Sequence, residues 1–139
     1  MKRFEVESQK IYSERHEVLK VCQIEEGWHV ADIGAGTGLY TRLFSEAVGE
    51  SGWVYAADIS TRFVEHVRKQ KLSNVTPVLC AEKSIGLPPN SVDLIFICDT
   101  YHHFEYPKST LASIYRALKT GGKLVVIDFE RIPGKSKWW

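Results

Sequence analysis

Short apolar runs alternate along the chain with longer segments in which apolar positions recur at helical spacing. The runs of strand length lie at residues 28–33, 53–58, 75–80, 92–98 and 123–129, and the helical segments at residues 13–23, 39–48, 61–71 and 108–118. This alternation is typical of βαβ units that stack into a parallel sheet with helices on both faces. We therefore predict an α/β fold with a doubly wound, mostly parallel sheet of five strands.

Two strands carry additional information. Pro77 lies inside the third run, and proline cannot donate to a ladder, so we expect that strand at an edge of the sheet. The run at residues 92–98 has almost continuous Val, Leu, Ile and Phe, as expected of a strand covered on both faces. We expect it at the centre of the sheet.

The pair Gly121-Gly122 predicts the end of the last helix.

The composition is that of one ordinary globular domain. The chain has 139 residues, of which 44% are hydrophobic and 25% charged, and its formal net charge is +1. A charge this small argues against a global field that attracts nucleic acid or anionic membranes. The three cysteines, Cys22, Cys80 and Cys98, show no C-x-x-C spacing, so we expect free thiols, no disulfide framework and no metal site.

Targeting signals are not evident in the sequence. The basic start of the chain is followed by alternating charges rather than by an apolar run, which is unlike a secretory signal. No stretch approaches the roughly 18–20 apolar residues that span a bilayer. We expect a cytoplasmic protein without integral membrane contact.

A glycine-rich loop carries the first indication of chemistry. Gly34, Gly36 and Gly38 occupy alternate positions directly between the first strand and the following helix. Glycine permits such a tight turn and lets a ligand lie against the backbone without meeting a Cβ atom. The helix that follows offers unpaired N–H groups to a carboxylate or another anion.

Asp58 is the expected partner of this loop. It lies twenty residues beyond Gly38 at the end of the second strand, where an acid can bind both hydroxyls of a ribose. A nicotinamide dinucleotide needs the same geometry, but its G-x-G-x-x-G fingerprint differs from this loop, which has Leu39 at the last position. Asp32, just before the first glycine, would repel a pyrophosphate. It suits the ammonium group of a methionine moiety, whose carboxylate suits the loop amides.

These residues resemble those of class I S-adenosylmethionine (SAM) dependent methyltransferases over roughly residues 13–131. The resemblance is greatest to the small-molecule group (type 11) that includes enzymes of ubiquinone and menaquinone biosynthesis, and it implies a Rossmann-like sheet. It implies SAM as cofactor and S-adenosylhomocysteine as product. By this resemblance the methionine part is held by Asp32 and the loop, with Ala35 and Thr37 lining it. Asp58 would hold the ribose, and Ile59 would lie against adenine.

The position for the adenine amino group departs from the family pattern. The family usually has an acid after the third strand, and this chain has Cys80-Ala81-Glu82. A thiol is a poor substitute for a carboxylate acceptor, so we assign the adenine contacts to the Ala81 backbone or to Glu82.

Candidates for the acceptor side follow the fourth strand. Ligands of open α/β sheets gather beyond the carboxyl ends of the strands, which selects Asp99, His102 and His103. Asp99 is also a candidate for cofactor contact. A histidine or aspartate there could remove a proton from the methyl acceptor. The alternative interpretation is structural, with the His-His pair capping a helix or packing beneath a loop; a metal site that adds Glu105 is disfavoured because companion ligand spacing is missing.

Motifs that this chain lacks reduce the number of candidate classes of methyl acceptor. Family members that methylate adenine or glutamine share an N/D-P-P-Y tetrad, whereas this chain has Asp99-Thr100-Tyr101-His102. The Pro-Cys pair of the cytosine C5 enzymes is also missing at Cys98. We expect a small-molecule acceptor and no nucleic-acid partner.

The predicted strand count is lower than that of the resembling fold, which has seven strands. The usual C-terminal β-hairpin is lacking, so an edge at residues 123–129 is expected to stay open. We expect a single domain of residues 1–139, with an N-terminal helical segment at 1–26, a Rossmann-like core at 27–131 and a tail at 132–139. The open edge, together with Trp138 and Trp139, suggests a homodimer contact or a fragment of a longer enzyme.

Three functions remain open at this point. The leading hypothesis is a small-molecule methyltransferase. The second is a SAM-binding module that is non-catalytic or depends on a partner. The third is an NAD(P)-dependent oxidoreductase on the same fold, since fold alone does not decide function.

Overall fold

The computed structural model describes residues 12–98 and 104–127. In these ranges, helices and strands alternate along the chain. The elements are α1 (Arg15–Cys22), β1 (His29–Ile33), α2 (Leu39–Val48), β2 (Trp53–Asp58), α3 (Thr61–Lys69), β3 (Val75–Leu79), β4 (Val92–Cys98), α4 (Pro107–Ala117) and β5 (Leu118–Ile127).

The strands form one five-stranded sheet in the order β3-β2-β1-β4-β5. All four pairings are parallel. The predicted α/β fold with a Rossmann-like parallel sheet is therefore confirmed. Pro77 pairs with Ala56 only, in a strand at the sheet edge, as its missing N–H group requires.

The predicted centre of the sheet is wrong. β1 is the middle strand, and β4 lies between β1 and β5. Both strands are buried on both faces, but β1 contains the polar Asp32 and is shorter, so its sequence lacks the continuous apolar run that favoured β4.

The fifth strand also differs from its prediction. It begins at Leu118, directly after α4, and its register with β4 shifts between Val92 and Leu94. Gly121 has φ +80° within this irregular stretch, so the glycine pair lies in the entry to the strand and not at the end of the helix. Residues 128 and 129 of the predicted strand are outside the described ranges.

The core has two halves, one on each face of the sheet. On the side of α1 and α2, Tyr40, Phe44 and Phe96 pack with ring centroids 5.0–5.8 Å apart. On the other side, α4 packs Ile114 and Ala117 onto β1 and β4. The aromatic cluster fixes α2, whose first turn follows the glycine loop, against the centre of the sheet.

The far end of α2 is fixed by a buried side chain. The Asn74 amide group donates to the carbonyl oxygens of Ser45 (2.9 Å) and Gly49 (3.0 Å), which the helix itself leaves unpaired. Asn74 is 8% exposed. Both ends of α2 are thus held, so the position at which the preceding glycine loop joins α2 is defined.

None of the helices in the described ranges combines the length and the apolar composition that a membrane span requires.

Candidate functional site

The candidate site lies where the direction of the chain across the sheet changes. From β1 the chain proceeds to β2 and β3 on one side, and it then returns to β4 on the other side of β1. In open α/β sheets, ligands bind in the crevice beyond the carboxyl ends of the strands at this switch point. The glycine loop follows β1 there, and Asp58 is the last residue of β2.

All three loop glycines have a backbone conformation that favours glycine. Their φ angles are +72° at Gly34, +56° at Gly36 and +87° at Gly38. A Cβ atom built on Gly36 would have no neighbour closer than 4.0 Å, the carbonyl oxygen of Gly34. The face of the loop at Gly36 is therefore open, as the approach of a ligand to the backbone requires.

The loop is tied to the end of β2. The N–H groups of Gly34 and Ala35 both donate to the carbonyl oxygen of Ala57, at 2.8 and 3.1 Å. The N–H group of Gly36 donates to Oδ2 of Asp58 at 3.0 Å. Asp58 is thus in direct contact with the loop, and its role at a ribose stays a prediction.

Asp58 keeps capacity for a further ligand. Its Oδ1 accepts from the backbone N–H of Ser60 at 2.9 Å, so each oxygen holds one protein donor. A carboxylate has about four acceptor positions. Half of them remain for donors such as the two hydroxyls of a ribose.

Asp32 lies beneath the loop in the core. Its side chain is 3% exposed, and its Oδ2 accepts from the Thr41 hydroxyl on α2 at 2.7 Å. Burial raises the pKa of this carboxyl to about 7; the Thr41 hydrogen bond opposes the shift, and the charge of Asp58 adds to it. Its direct partner in the structure is Thr41, whereas the sequence assigned it to the ammonium group of a ligand.

Thr41 was not singled out in the sequence. It is fully buried on the inner face of α2. A polar residue among the apolar positions of an amphipathic helix is a signal that could have indicated a buried hydrogen-bond partner.

The expected adenine side of the site has exposed apolar side chains. Ile59 follows β2 directly and is 62% exposed, and Leu79 at the end of β3 is 53% exposed. Large apolar side chains with this exposure at neighbouring strand ends suit a flat aromatic ligand.

The segment after β3 is a small turn. The N–H of Ala81 donates to the carbonyl of Ser84 at 3.1 Å, and the N–H of Ser84 donates to the carbonyl of Ala81 at 3.4 Å. Both polar groups of the Ala81 backbone, which the sequence assigned to adenine as an alternative to Glu82, therefore have protein partners. The Cys80 thiol donates to the carbonyl of Ile85 at 3.5 Å, and burial raises its pKa to about 12, with Asp58 as a second cause. Cys80 is thus a neutral thiol directed at the protein, and Glu82 is the exposed acid of this segment.

The acceptor-side candidates Asp99, His102 and His103 lie outside the described residues. In residues 12–98 and 104–127, no three His, Cys, Asp or Glu side chains lie close enough together to hold a metal ion. Within these ranges, the cysteines Cys22, Cys80 and Cys98 are not joined by disulfide bonds.

A parallel sheet with a glycine loop after its central strand and an acid at the end of the next is the arrangement that Rossmann-like proteins use for nucleoside cofactors. The family model described as a methyltransferase domain, Methyltransf_11, matches residues 31–126. The chain belongs to this methyltransferase family. The resemblance noted in the sequence is confirmed.

Similar proteins and a similar crystal structure agree with this assignment. A ubiquinone/menaquinone biosynthesis C-methyltransferase of Pseudoalteromonas translucida is 35% identical over 78% of this chain, and its counterpart in Burkholderia vietnamiensis is 31% identical over 80%. The crystal structure of a SAM-dependent methyltransferase from Aquifex aeolicus matches 86% of the chain with a TM-score of 0.77 and 37% identity. This similarity confirms the Rossmann-like methyltransferase fold.

The chain spans about half the length of these curated relatives, namely 45% of the first and 47% of the second. It covers 67% of the Aquifex chain. The matched part contains the glycine loop and Asp58.

The buried carboxyl of Asp32 predicts a pH dependence of stability. Because its pKa is raised in the folded chain, the folded state binds this proton more tightly than the unfolded state does, and stability falls as pH rises from about 4 to about 7. The Asp32→Asn variant should lack this component, which is on the order of 1–4 kcal/mol. Urea unfolding between pH 4 and 8 measures it.

The matched control is Glu46→Gln, an exposed residue on the same helix as Thr41. Its free energy of unfolding should follow the wild-type pH dependence. If Asp32→Asn also runs parallel to the wild type over this range, the raised pKa of Asp32 is wrong.

Proposed function

We propose that this chain binds SAM and is the catalytic domain of a methyltransferase with a small-molecule acceptor. The observation that carries the proposal is the open backbone face at Gly36 beside an Asp58 carboxylate that retains half of its acceptor positions. An amino-acid end fits against the first, and ribose hydroxyls fit the second.

The residues of this chain divide the ligand between them. The methionine part lies against the loop of Gly34, Ala35, Gly36, Thr37 and Gly38. The pKa of the Asp32 carboxyl beneath the loop is raised to about 7 in the ligand-free chain, and an ammonium group of the ligand would favour its ionised form. Asp58 holds the ribose. SAM itself supplies a methyl group already activated by the positive sulfur.

For the adenine, the proposal favours Ile59 and Glu82. Ile59 offers an exposed apolar surface to the ring. The adenine amino group donates hydrogen bonds and needs an acceptor. Glu82 is chosen over the Ala81 backbone, because the Ala81 carbonyl already accepts from the N–H of Ser84 at 3.4 Å and the Ala81 N–H cannot accept. Cys80 offers no carboxylate acceptor there.

On the acceptor side, we assign Asp99, His102 and His103 to contact with the methyl acceptor and to removal of its proton. The support is their position directly after β4, which neighbours β1 in the sheet. The relatives are named as C-methyltransferases of quinone biosynthesis, so a phenolic or quinol ring is the first acceptor class to test.

A second candidate is a SAM-binding module that needs a partner for catalysis. The curated relatives are about twice as long as the part that this chain matches, 45% of one and 47% of the other. Cofactor binding without turnover by the isolated chain would support this candidate over the first.

Cofactor binding is tested by thermal unfolding with separate ligands. S-adenosylhomocysteine at roughly 100 times its dissociation constant should add about 2.7 kcal/mol and raise the midpoint, whereas NAD should not. Asp58→Ala should weaken binding at least about tenfold, because a charged acceptor of two hydrogen bonds is lost.

Asp58 also holds the loop, so its variant is compared with Asp58→Asn, which retains one acceptor oxygen, and with the exposed Glu65→Ala on α3. Glu65→Ala should bind like the wild type. Stabilisation by NAD with no response to S-adenosylhomocysteine would refute the proposal and favour the oxidoreductase.

Turnover tests the acceptor-side residues. His102→Ala, His103→Ala and Asp99→Asn are assayed by methyl transfer to a panel of quinols, phenols, thiols and amines. Loss of a general base should lower kcat by about 10²–10⁴-fold. We expect this from at least one histidine, with the affinity of either histidine variant for S-adenosylhomocysteine unchanged.

The control is His66→Ala, an exposed histidine on α3 that should leave both quantities unchanged. If His102→Ala and His103→Ala lower cofactor affinity as much as Asp58→Ala does, these histidines belong to the cofactor site and the assigned roles are wrong.

We also propose a cytoplasmic homodimer that forms through the β5 edge. β5 is the last strand of the described sheet, and its side chains Leu124 and Val126 are 36% and 42% exposed. A strand edge with apolar side chains and no proline favours pairing with another chain. Trp138 and Trp139, which we include in this contact, lie outside the described residues.

The dimer is tested by light scattering across a concentration series. Val126→Lys places a charge at the edge and should raise the dissociation constant of the dimer at least about tenfold. The control is Leu79→Lys, since Leu79 is 53% exposed at the end of β3, the strand at the opposite edge of the sheet. A wild-type chain that stays monomeric at high concentration excludes the dimer.

A further inference from the structure

The glycine loop has a second attachment besides Asp58. The side-chain Nε2 of Gln70, the residue that ends α3, donates to the carbonyl oxygen of Thr37 at 2.9 Å. Thr37 lies between Gly36 and Gly38. Two peptide groups of the loop are therefore held from two directions: Asp58 accepts from the N–H of the Ala35–Gly36 group, and Gln70 donates to the carbonyl of the Thr37–Gly38 group.

The orientation of the Gln70 amide is fixed by a third residue. Nη1 of Arg42 on α2 donates to Oε1 of Gln70 at 2.9 Å, and the same nitrogen is 3.4 Å from the carbonyl oxygen of Thr37. A guanidinium group only donates hydrogen bonds, so the Gln70 oxygen must face Arg42 and its NH₂ group must face Thr37. α2 and α3 thus contribute one side chain each to the same carbonyl.

Gly38 provides the space for this arrangement. A Cβ atom on Gly38 would be 3.2 Å from Nε2 of Gln70 and 3.3 Å from Cγ2 of Val67. Both distances are shorter than ordinary van der Waals contact. The third glycine of the loop therefore serves the approach of α3, whereas Gly36 leaves its face open.

We infer that Gln70 is a positioning residue for the cofactor site, which holds the Thr37 carbonyl so that the open face of the glycine loop is preformed for the amino-acid end of the cofactor. This inference rests on the proposed function. The apparent affinity of a site falls with the fraction of molecules that have the competent conformation. A loop released at Thr37 samples other conformations, so binding weakens although no atom of Gln70 is required to touch the ligand.

The test uses a variant that separates the two hydrogen bonds of Gln70. In Gln70→Glu the carboxylate still accepts from Arg42 but has no N–H group for Thr37. Gln70→Ala removes both bonds. The control is Arg68→Ala. Arg68 lies in the last turn of α3, and its side chain pairs with Glu65 at 3.4 Å on the surface.

Two quantities are measured on each protein. The first is the dissociation constant of S-adenosylhomocysteine by calorimetry, together with KM for SAM and kcat where the chain turns over. The second is the exchange rate of the backbone amide hydrogens of Gly36 and Gly38 without ligand. Loss of one neutral hydrogen bond corresponds to about three- to tenfold.

We expect Gln70→Glu and Gln70→Ala to raise the dissociation constant and KM about three- to tenfold, to leave kcat nearly unchanged, and to accelerate exchange of the loop amides. Arg68→Ala should match the wild type. If Gln70→Glu binds with wild-type affinity and its loop amides exchange at the wild-type rate, the inference is wrong.

The two proposals fail in different ways. A wild-type chain that does not bind S-adenosylhomocysteine overturns the proposed function. In that case the exchange of the Gly36 and Gly38 amide hydrogens in the ligand-free protein still decides the role of Gln70. Faster exchange in Gln70→Glu supports the inference that Gln70 holds the Thr37 carbonyl, and an unchanged rate overturns it.

Discussion

The hydrogen bond from the Gly36 amide to the Asp58 carboxylate is the interaction on which the candidate site depends. The parallel register places Ile33 opposite Ala57, so the first residue after β1 and the last residue of β2 meet at one level of the sheet. Asp58 then accepts from the loop with one oxygen and from Ser60 with the other. The Ser60 side chain in turn caps α3. One carboxylate thereby fixes the loop after β1 relative to the helix after β2.

Beneath this bond lies a second carboxyl group with a different environment. Asp32 is buried and its pKa is raised, whereas Asp58 is half-buried and retains acceptor positions toward the crevice. Ionised Asp32 costs solvation energy that a cation above the loop would partly offset. The same pair would oppose an anionic pyrophosphate at this place. The electrostatics of the loop thus favour a ligand with a positive end, independently of the spacing of the glycines.

Much of the fold follows from local sequence pattern, and the contacts across the site do not. The bounds of α2, β2 and β4 are those that apolar periodicity predicts, because each is an uninterrupted stretch with a clear start and end. The predicted place of β4 at the centre of the sheet was wrong, because a continuous apolar run indicates that a strand is covered on both faces and not where it lies in the sheet. The Asp32–Thr41 pair and the Gln70–Thr37 contact join residues 9 and 33 positions apart, a relation that depends on how helices pack. The loop and Asp58 were recognisable because their roles are set by backbone geometry at strand ends.

The position of the third glycine separates two cofactor classes for a structural reason. In the dinucleotide fingerprint two residues separate the second glycine from the third, which permits close packing of the helix on the strand. Here Leu39 begins α2 with a side chain, and the glycine one residue earlier ends in contact with Val67 and Gln70 of the neighbouring helical segment. The close approach is therefore made by α3 and its terminal residue toward the loop. A chain with this spacing has its loop supported from the side of β2, which is also the side that supplies Asp58. One βα unit thus holds two peptide groups of the loop, Ala35–Gly36 through Asp58 and Thr37–Gly38 through Gln70.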